Sequence, residues 1–123
     1  MLAGKKILVV DDDADTLVMI EKMLEAQNYE VLTAQDGPHA MEKTNKQHLD
    51  LILLDNRMPF FSGLWYCNAL KRKHNTRNIP VVLVSAGLDD EVMRKAKEVG
   101  VADYLKKPFR SEDLLKVVKK NIL

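Results

Sequence analysis

The stretch that decides the fold is Asp50 to Pro59, D-L-I-L-L-D-N-R-M-P. Four consecutive apolar residues, Leu51 to Leu54, end in the carboxylate of Asp55, and a polar pair and a proline follow. A short continuous apolar run bounded by polar residues is the pattern of a strand covered on both faces. Asp55 then stands where that strand leaves the sheet. In open α/β sheets this is the end at which ligands bind.

Working outward, the flanking sequence repeats one alternation. Ile7 to Val10 is a β-branched run ending in Asp11-Asp12-Asp13, and Leu17, Ile20 and Leu24 follow at helical spacing. Asp13 or Asp15 is placed to cap that helix, and Asn28 to end it. Glu30 to Ala34 predicts a second strand. Asp36-Gly37-Pro38 is turn chemistry, with Pro38 in the first turn of a helix reaching about Lys46. After strand three, Pro59 to Gly63 reads as a loop and Leu64 to Arg72 as a helix with Leu64, Cys67 and Leu70 on one side. Val81 to Val84 is a fourth strand, ending at Ser85-Ala86-Gly87. Acids open the helix from Asp89 to Val99, as the helix dipole favours, and Gly100 stops it. Val101 to Leu105 is strand five, Lys106 to Phe109 a loop, and Ser111 opens a last helix with Leu114, Val118 and Ile122 as its buried stripe.

Five βα units imply a doubly wound parallel sheet with helices on both faces, because right-handed helical crossovers must join parallel strands. The expected strand order is 2-1-3-4-5, with strands one and three adjacent at the switch point. The expectation is a single domain over residues 1–123. Composition agrees: of 123 residues 46% are hydrophobic and 30% charged. Nineteen basic residues against eighteen acidic leave a charge of +1, which offers no field for nucleic acid or an anionic membrane. No apolar run has the length of a signal peptide or a membrane span, so the expected location is cytoplasmic. Cys67, the single cysteine, excludes an internal disulfide and reads as buried packing.

The strand order brings Asp11, Asp12 and Asp55 to one edge. Unit charges about 4 Å apart repel by about 4 kcal/mol at an effective dielectric near 20, so three such pairs cost on the order of 10 kcal/mol. That rivals the stability of a small domain. Protonation, separation or a cation must relieve it, and an all-oxygen set suits Mg²⁺ better than Ca²⁺. Ser85 ends strand four with a hydroxyl, and Lys107 follows strand five with an ammonium. A carboxylate, a cation site, a hydroxyl and an ammonium on one rim are what phosphoryl transfer requires.

With those residues in place, the sequence resembles the receiver domains of two-component response regulators, the chemotaxis-regulator-like superfamily, along its whole length. The motifs are Asp11-Asp12, D-N-R-M-P carrying Asp55, Ser85-Ala86, and Lys107-Pro108-Phe109. The resemblance implies a flavodoxin-like three-layer fold. It also implies that Asp55 accepts phosphate from a sensor histidine kinase or histidine phosphotransfer protein, and that Asp11 or Asp12, Asp55 and the Arg57 carbonyl hold Mg²⁺. Ser85 and Lys107 would contact the phosphoryl group. Tyr104 would turn inward, altering the surface of helix four, strand five and helix five for a downstream target or an output domain. The state implied is a monomer or a phosphorylation-dependent dimer, with no direct nucleic-acid contact and no membrane.

Two features depart from the family pattern. Phe60-Phe61 stand where small or polar loop residues are usual, with packing expected for one ring and exposure for the other. Arg57 and Gly87 occupy positions that in the family face the attacking water and influence phosphoryl lifetime. His39, His48 and His74, together with the lysines ending the helices, read as surface residues. Competing functions are a small aspartyl-phosphate phosphatase, for which no cap domain or second acid is evident, and a receiver fold used for interaction alone. A flavodoxin-like cofactor carrier is disfavoured, since three aspartates after strand one would repel its phosphate.

Overall fold

The computed structural model describes residues 4–58 and 61–122. Pro59 and Phe60, the second of which is one of the two aromatics noted above, lie outside the described residues.

The run Leu51 to Leu54 forms β3 (Leu51–Leu54), and all four residues are buried. Around it stand β1 (Lys6–Val10), β2 (Glu30–Ala34), β6 (Val81–Ser85) and β7 (Asp103–Lys106), in the order β2-β1-β3-β6-β7, every pair parallel. This is the expected 2-1-3-4-5 order, counted over the main sheet. The helices are α1 (Ala14–Glu25), α2 (Gly37–Lys46), α3 (Gly63–Lys71), α4 (Asp90–Glu98) and α5 (Ser111–Asn121).

Side chains on successive strand residues point to opposite faces. Leu8, Val10, Ile52, Leu54, Val81 and Leu83 therefore join one core with Ala40, Tyr66, Cys67, Leu70 and Ala96 of α2, α3 and α4. Ile7, Val9, Leu51, Leu53, Val82 and Val84 join the other, with Leu17, Ile20, Leu24, Leu114, Val117 and Val118 of α1 and α5. Unbroken apolar strands thus feed two layers at once, as a parallel sheet requires.

Local signals account for most boundaries. Asp36 caps α2 by accepting the His39 N–H at 2.8 Å, and Asp89 caps α4 through Val92 at 2.9 Å. Asn28 (φ 68°) and Gly100 (φ 88°) end α1 and α4 in the left-handed region. Four readings needed correction. Asp13 is the N-cap of α1, but its carboxylate takes the Thr16 hydroxyl at 2.6 Å instead of a backbone donor. The last strand begins at Asp103, two residues later than its apolar start suggested. On α3 Leu64, Cys67 and Leu70 pack into one core as the spacing implied, together with the fully buried Tyr66; on α5 Val117 replaces Ile122 in the buried stripe. Finally, the segment after Asp55 is not simply a loop. β4 (Arg57–Met58) and β5 (Phe61–Ser62) pair antiparallel, Arg57 opposite Ser62 and Met58 opposite Phe61.

Asp103 ties β7 to α5, accepting from Asn121 Nδ2 at 3.0 Å and pairing with Lys120 at 3.4 Å. Burial pushes its carboxyl up, but the Asn121 amide, the Tyr104 N–H and the Lys120 ammonium outweigh this and hold it below the ordinary value of 3.8. A lowered carboxyl stabilises the fold above its unfolded value, and that stabilisation is lost as pH falls through the folded value. In chemical unfolding below about pH 4, Asp103→Asn should therefore lose less stability with acid than the wild type does.

Candidate functional site

The sheet ladder itself delivers the polar residues to one edge. One step past its strand, the Asp11 N–H donates to Ala34 O at 3.1 Å, and the Asp55 N–H to Val10 O at 2.9 Å. Likewise the Lys107 N–H donates to Ser85 O at 3.1 Å, following β7. Each residue is held by a neighbouring strand at the point where its own strand ends.

The three side chains meet. Lys107 Nζ lies 2.5 Å from Asp11 Oδ2 and 3.2 Å from Asp55 Oδ2. The other oxygens are held by the backbone: Asp11 Oδ1 accepts the Asp13 N–H at 3.0 Å, and Asp55 Oδ1 accepts the Arg57 N–H at 2.9 Å. Both carboxylates are buried, their side chains 4% and 9% exposed, and Lys107 is at 22%. Asp12 is exposed but brings an oxygen into the same group, all three carboxylates lying within 4.8 Å of one another.

The charges in this pocket do not balance. Burial pushes the Asp11 carboxyl above its ordinary value, against the lowering by Lys107 and the Asp13 N–H. Burial also works against the Lys107 ammonium, yet Asp11 and then Asp55 outweigh it and hold its pKa above 10.5. Three carboxylates and one ammonium leave two negative charges (−3 + 1 = −2). A divalent cation cancels them, and the all-oxygen donor set fits a hard ion such as Mg²⁺.

Ser85 is fully buried at the end of β6, two residues beyond Leu83, which pairs with Leu54. Its Oγ accepts the Gly87 N–H at 3.3 Å, so the hydroxyl is bonded to its own loop while its hydrogen stays free to donate. Tyr104, in β7, is 53% exposed and stands apart from the carboxylate cluster.

The hairpin β4–β5 beside Asp55 supplies what the motifs did not show. The Arg57 side chain lies over Gly87, so closely that a Cβ at position 87 would fall inside the guanidinium. Gly63 opens α3 so near β3 that a Cβ there would stand 2.8 Å from the Asp55 carbonyl oxygen. The Phe61 ring packs on Tyr66, with centroids 5.4 Å apart, so packing is the outcome for that one of the two aromatics. His39 is engaged by Asp36, its Nδ1 2.7 and 2.8 Å from the two carboxylate oxygens.

Comparison with known proteins agrees with this geometry. The model of the response regulator receiver domain matches residues 7–119. The chain belongs to that family. It is 37% identical over 116 residues, 94% of its length, to the phosphate regulon transcriptional regulatory protein PhoB of Klebsiella pneumoniae. It spans about half (51%) of that relative, so PhoB's regulatory output belongs to PhoB. Chemotaxis protein CheY4 of Vibrio cholerae superposes with a TM-score of 0.93 at 32% identity, covering 98% of this chain and 100% of that one. The receiver domain of sensor histidine kinase PA1611 from Pseudomonas aeruginosa PAO1 gives 0.87 at 29% identity, covering 97% and 98%. That structure has a magnesium ion coordinated in its active site cleft. The fold and the family of this receiver domain are therefore shown.

Relieving the charge imbalance by mutation should mimic part of what a cation does. Without Mg²⁺, Asp11→Asn should melt no lower than the wild type at neutral pH, because Lys107 keeps Asp55 as partner. Millimolar Mg²⁺ should raise the wild-type melting temperature and leave that of Asp11→Asn nearly unchanged, as read by differential scanning fluorimetry.

Proposed function

We propose that this receiver domain is a phosphorylation-activated switch in which Asp55 is the phosphoacceptor. The observation that carries the reading is the Lys107 ammonium shared by two buried carboxylates, with a third acid beside them. The donor is a phosphohistidine on a sensor histidine kinase or a histidine phosphotransfer protein.

In the transfer, Asp55 Oδ2 is the attacking oxygen, since Oδ1 is already held by the Arg57 N–H. An O–P bond forms, the N–P bond to imidazole breaks, and the imidazole leaves with its electron pair and takes a proton from solvent. Lys107 keeps its bond to Asp11 as Asp55 is consumed, and it turns its remaining hydrogens to the phosphoryl oxygens. The Ser85 hydroxyl, two residues from Gly87, donates to another of them. Asp11 or Asp12, Asp55 and the Arg57 carbonyl would hold Mg²⁺, which supplies charge neutralisation on the transferring oxygens. The Arg57 guanidinium lies over Gly87, and this pair, two residues beyond Asp55 and Ser85, would bear on the lifetime of the phosphorylated state.

The output follows from Ser85 and Tyr104. Moving the Ser85 hydroxyl from the Gly87 N–H to a phosphoryl oxygen draws the β6–α4 loop inward. Tyr104 then gives up its exposed position, which borders a cavity of about 460 Å³ lined by Met93, Ala96 and Val101 between α4 and β7. That face, with α5, is where a downstream protein or an output domain would sense phosphorylation. No helix among the described residues is long and apolar enough to cross a membrane, which accords with a cytoplasmic role, as a monomer or a phosphorylation-dependent dimer.

Labelled phosphoryl transfer from a phosphohistidine donor in the presence of Mg²⁺ tests the assignment. Wild type should be labelled and Asp55→Asn should not, while Lys107→Ala should slow transfer by at least about 100-fold. Label retained by Asp55→Asn would place the acceptor elsewhere. Mg²⁺ at a hundredfold excess over its dissociation constant should add about 2.7 kcal/mol of stability to the wild type.

A further inference from the structure

Phe61 joins parts of the molecule that the backbone leaves separate. One side of its ring meets Tyr66 of α3, at 5.4 Å between centroids and 57° between planes. The ring also lies against Gly37, the first residue of α2, where a Cβ would stand 2.5 Å from Phe61 Cδ1 and 2.9 Å from Cε1. The missing side chain at Gly37 is thus what admits the ring. Tyr66 is itself tied to α2, its hydroxyl donating to Ala40 O at 3.3 Å. Phe61 sits in a slot built by two helices.

The element it anchors cannot hold itself. β4 and β5 are two residues each, and an isolated strand pair of that length is not stable in water. Ser62 attaches one end to α3, its Oγ accepting the Trp65 N–H at 3.2 Å. Across the ladder Phe61 faces Met58, and Ser62 faces Arg57. Arg57, whose N–H is held by Asp55 Oδ1 at 2.9 Å, has its other backbone neighbour in this ladder, and Phe61 seats the ladder.

We infer that Phe61, wedged between Gly37 and Tyr66, is a positioning residue for the cation site, fixing through the β4–β5 ladder the Arg57 carbonyl that would bind Mg²⁺. This rests on the reading of the site given above. Phe61 touches neither the ion nor the phosphoryl group. Its effect is transmitted because Mg²⁺ demands near-octahedral oxygen ligands at about 2.0–2.1 Å, so a small displacement of one ligand is costly. Residues that orient a metal ligand typically change affinity by about 10–100-fold when removed.

The test is an MgCl₂ titration of the whole chain, followed by Trp65 fluorescence alongside the melting temperature. Trp65 is the single tryptophan, 61% exposed, in the first turn of α3. Phe61→Ala should weaken Mg²⁺ binding by about tenfold and Phe61→Leu by less. Gly37→Ala, which drives the ring from its slot, should weaken binding like Phe61→Ala. Val118→Ala, truncating a fully buried side chain in the opposite layer, should lower the melting temperature and leave Mg²⁺ affinity unchanged. If Phe61→Ala does not fold, Phe61→Leu and Gly37→Ala carry the comparison. Wild-type affinity in the Phe61 and Gly37 variants overturns the inference alone, and so does equal weakening in Val118→Ala. A wild-type protein indifferent to Mg²⁺ overturns the reading of the site as well.

Discussion

One ammonium shared by two buried carboxylates is the constraint on which the working edge of this domain depends. Lys107 reaches Asp11 at 2.5 Å and Asp55 at 3.2 Å, so three strand ends converge on a single cation. An unpaired buried charge costs several kcal/mol, and Lys107 is the cation that pairs with both carboxylates. The same lysine is too little charge for the acids present. A site that is held together and still short of positive charge suits a divalent ion, and on the proposed function a phosphoryl group on Asp55 would present its oxygens to Lys107.

The backbone makes that arrangement rigid. Asp11, Asp55 and Lys107 are each pinned by a ladder hydrogen bond one step beyond a strand, and β1 and β3 are buried on both faces by the two cores. Packing density in those cores leaves the strand ends little freedom. Beside this edge stand the buried Ser85 that ends β6, the exposed Tyr104 of β7, and the short β4–β5 ladder.

Much of this was legible in the sequence because the signals are local or periodic. Leu51 to Leu54 announced a strand buried on both faces, Asp36 and Asp89 announced helix starts, and Asn28 and Gly100 announced ends. The alternation of strands and helices then fixed the sheet order, and the order placed Asp11, Asp12 and Asp55 together. What could not be read were contacts made between distant segments by side chains of ambiguous pattern. Tyr66 carries a hydroxyl and falls outside the Leu64, Cys67 and Leu70 pattern, yet Ala40 O accepts that hydroxyl inside the core. Two adjacent phenylalanines gave no indication that one would enter a slot opened by a glycine 24 positions earlier (61 − 37 = 24). The strand pair was hidden because its strands are only two residues long and the sequence between them carries a proline. Arg57 and Gly87 were conspicuous as a pair beside the acceptor, and the fold shows how closely the one fills the space left by the other.

The central claim is that Asp55 carries the phosphoryl group. An acyl phosphate is reduced by borohydride to the alcohol, which converts the aspartyl residue to homoserine. After phosphorylation in Mg²⁺ and borohydride treatment, peptide mass spectrometry should find homoserine at position 55, and not at 11, 12 or 13, with none formed when Mg²⁺ is chelated. Homoserine at another aspartate, or none at all in a protein shown to take up phosphate, would contradict the account.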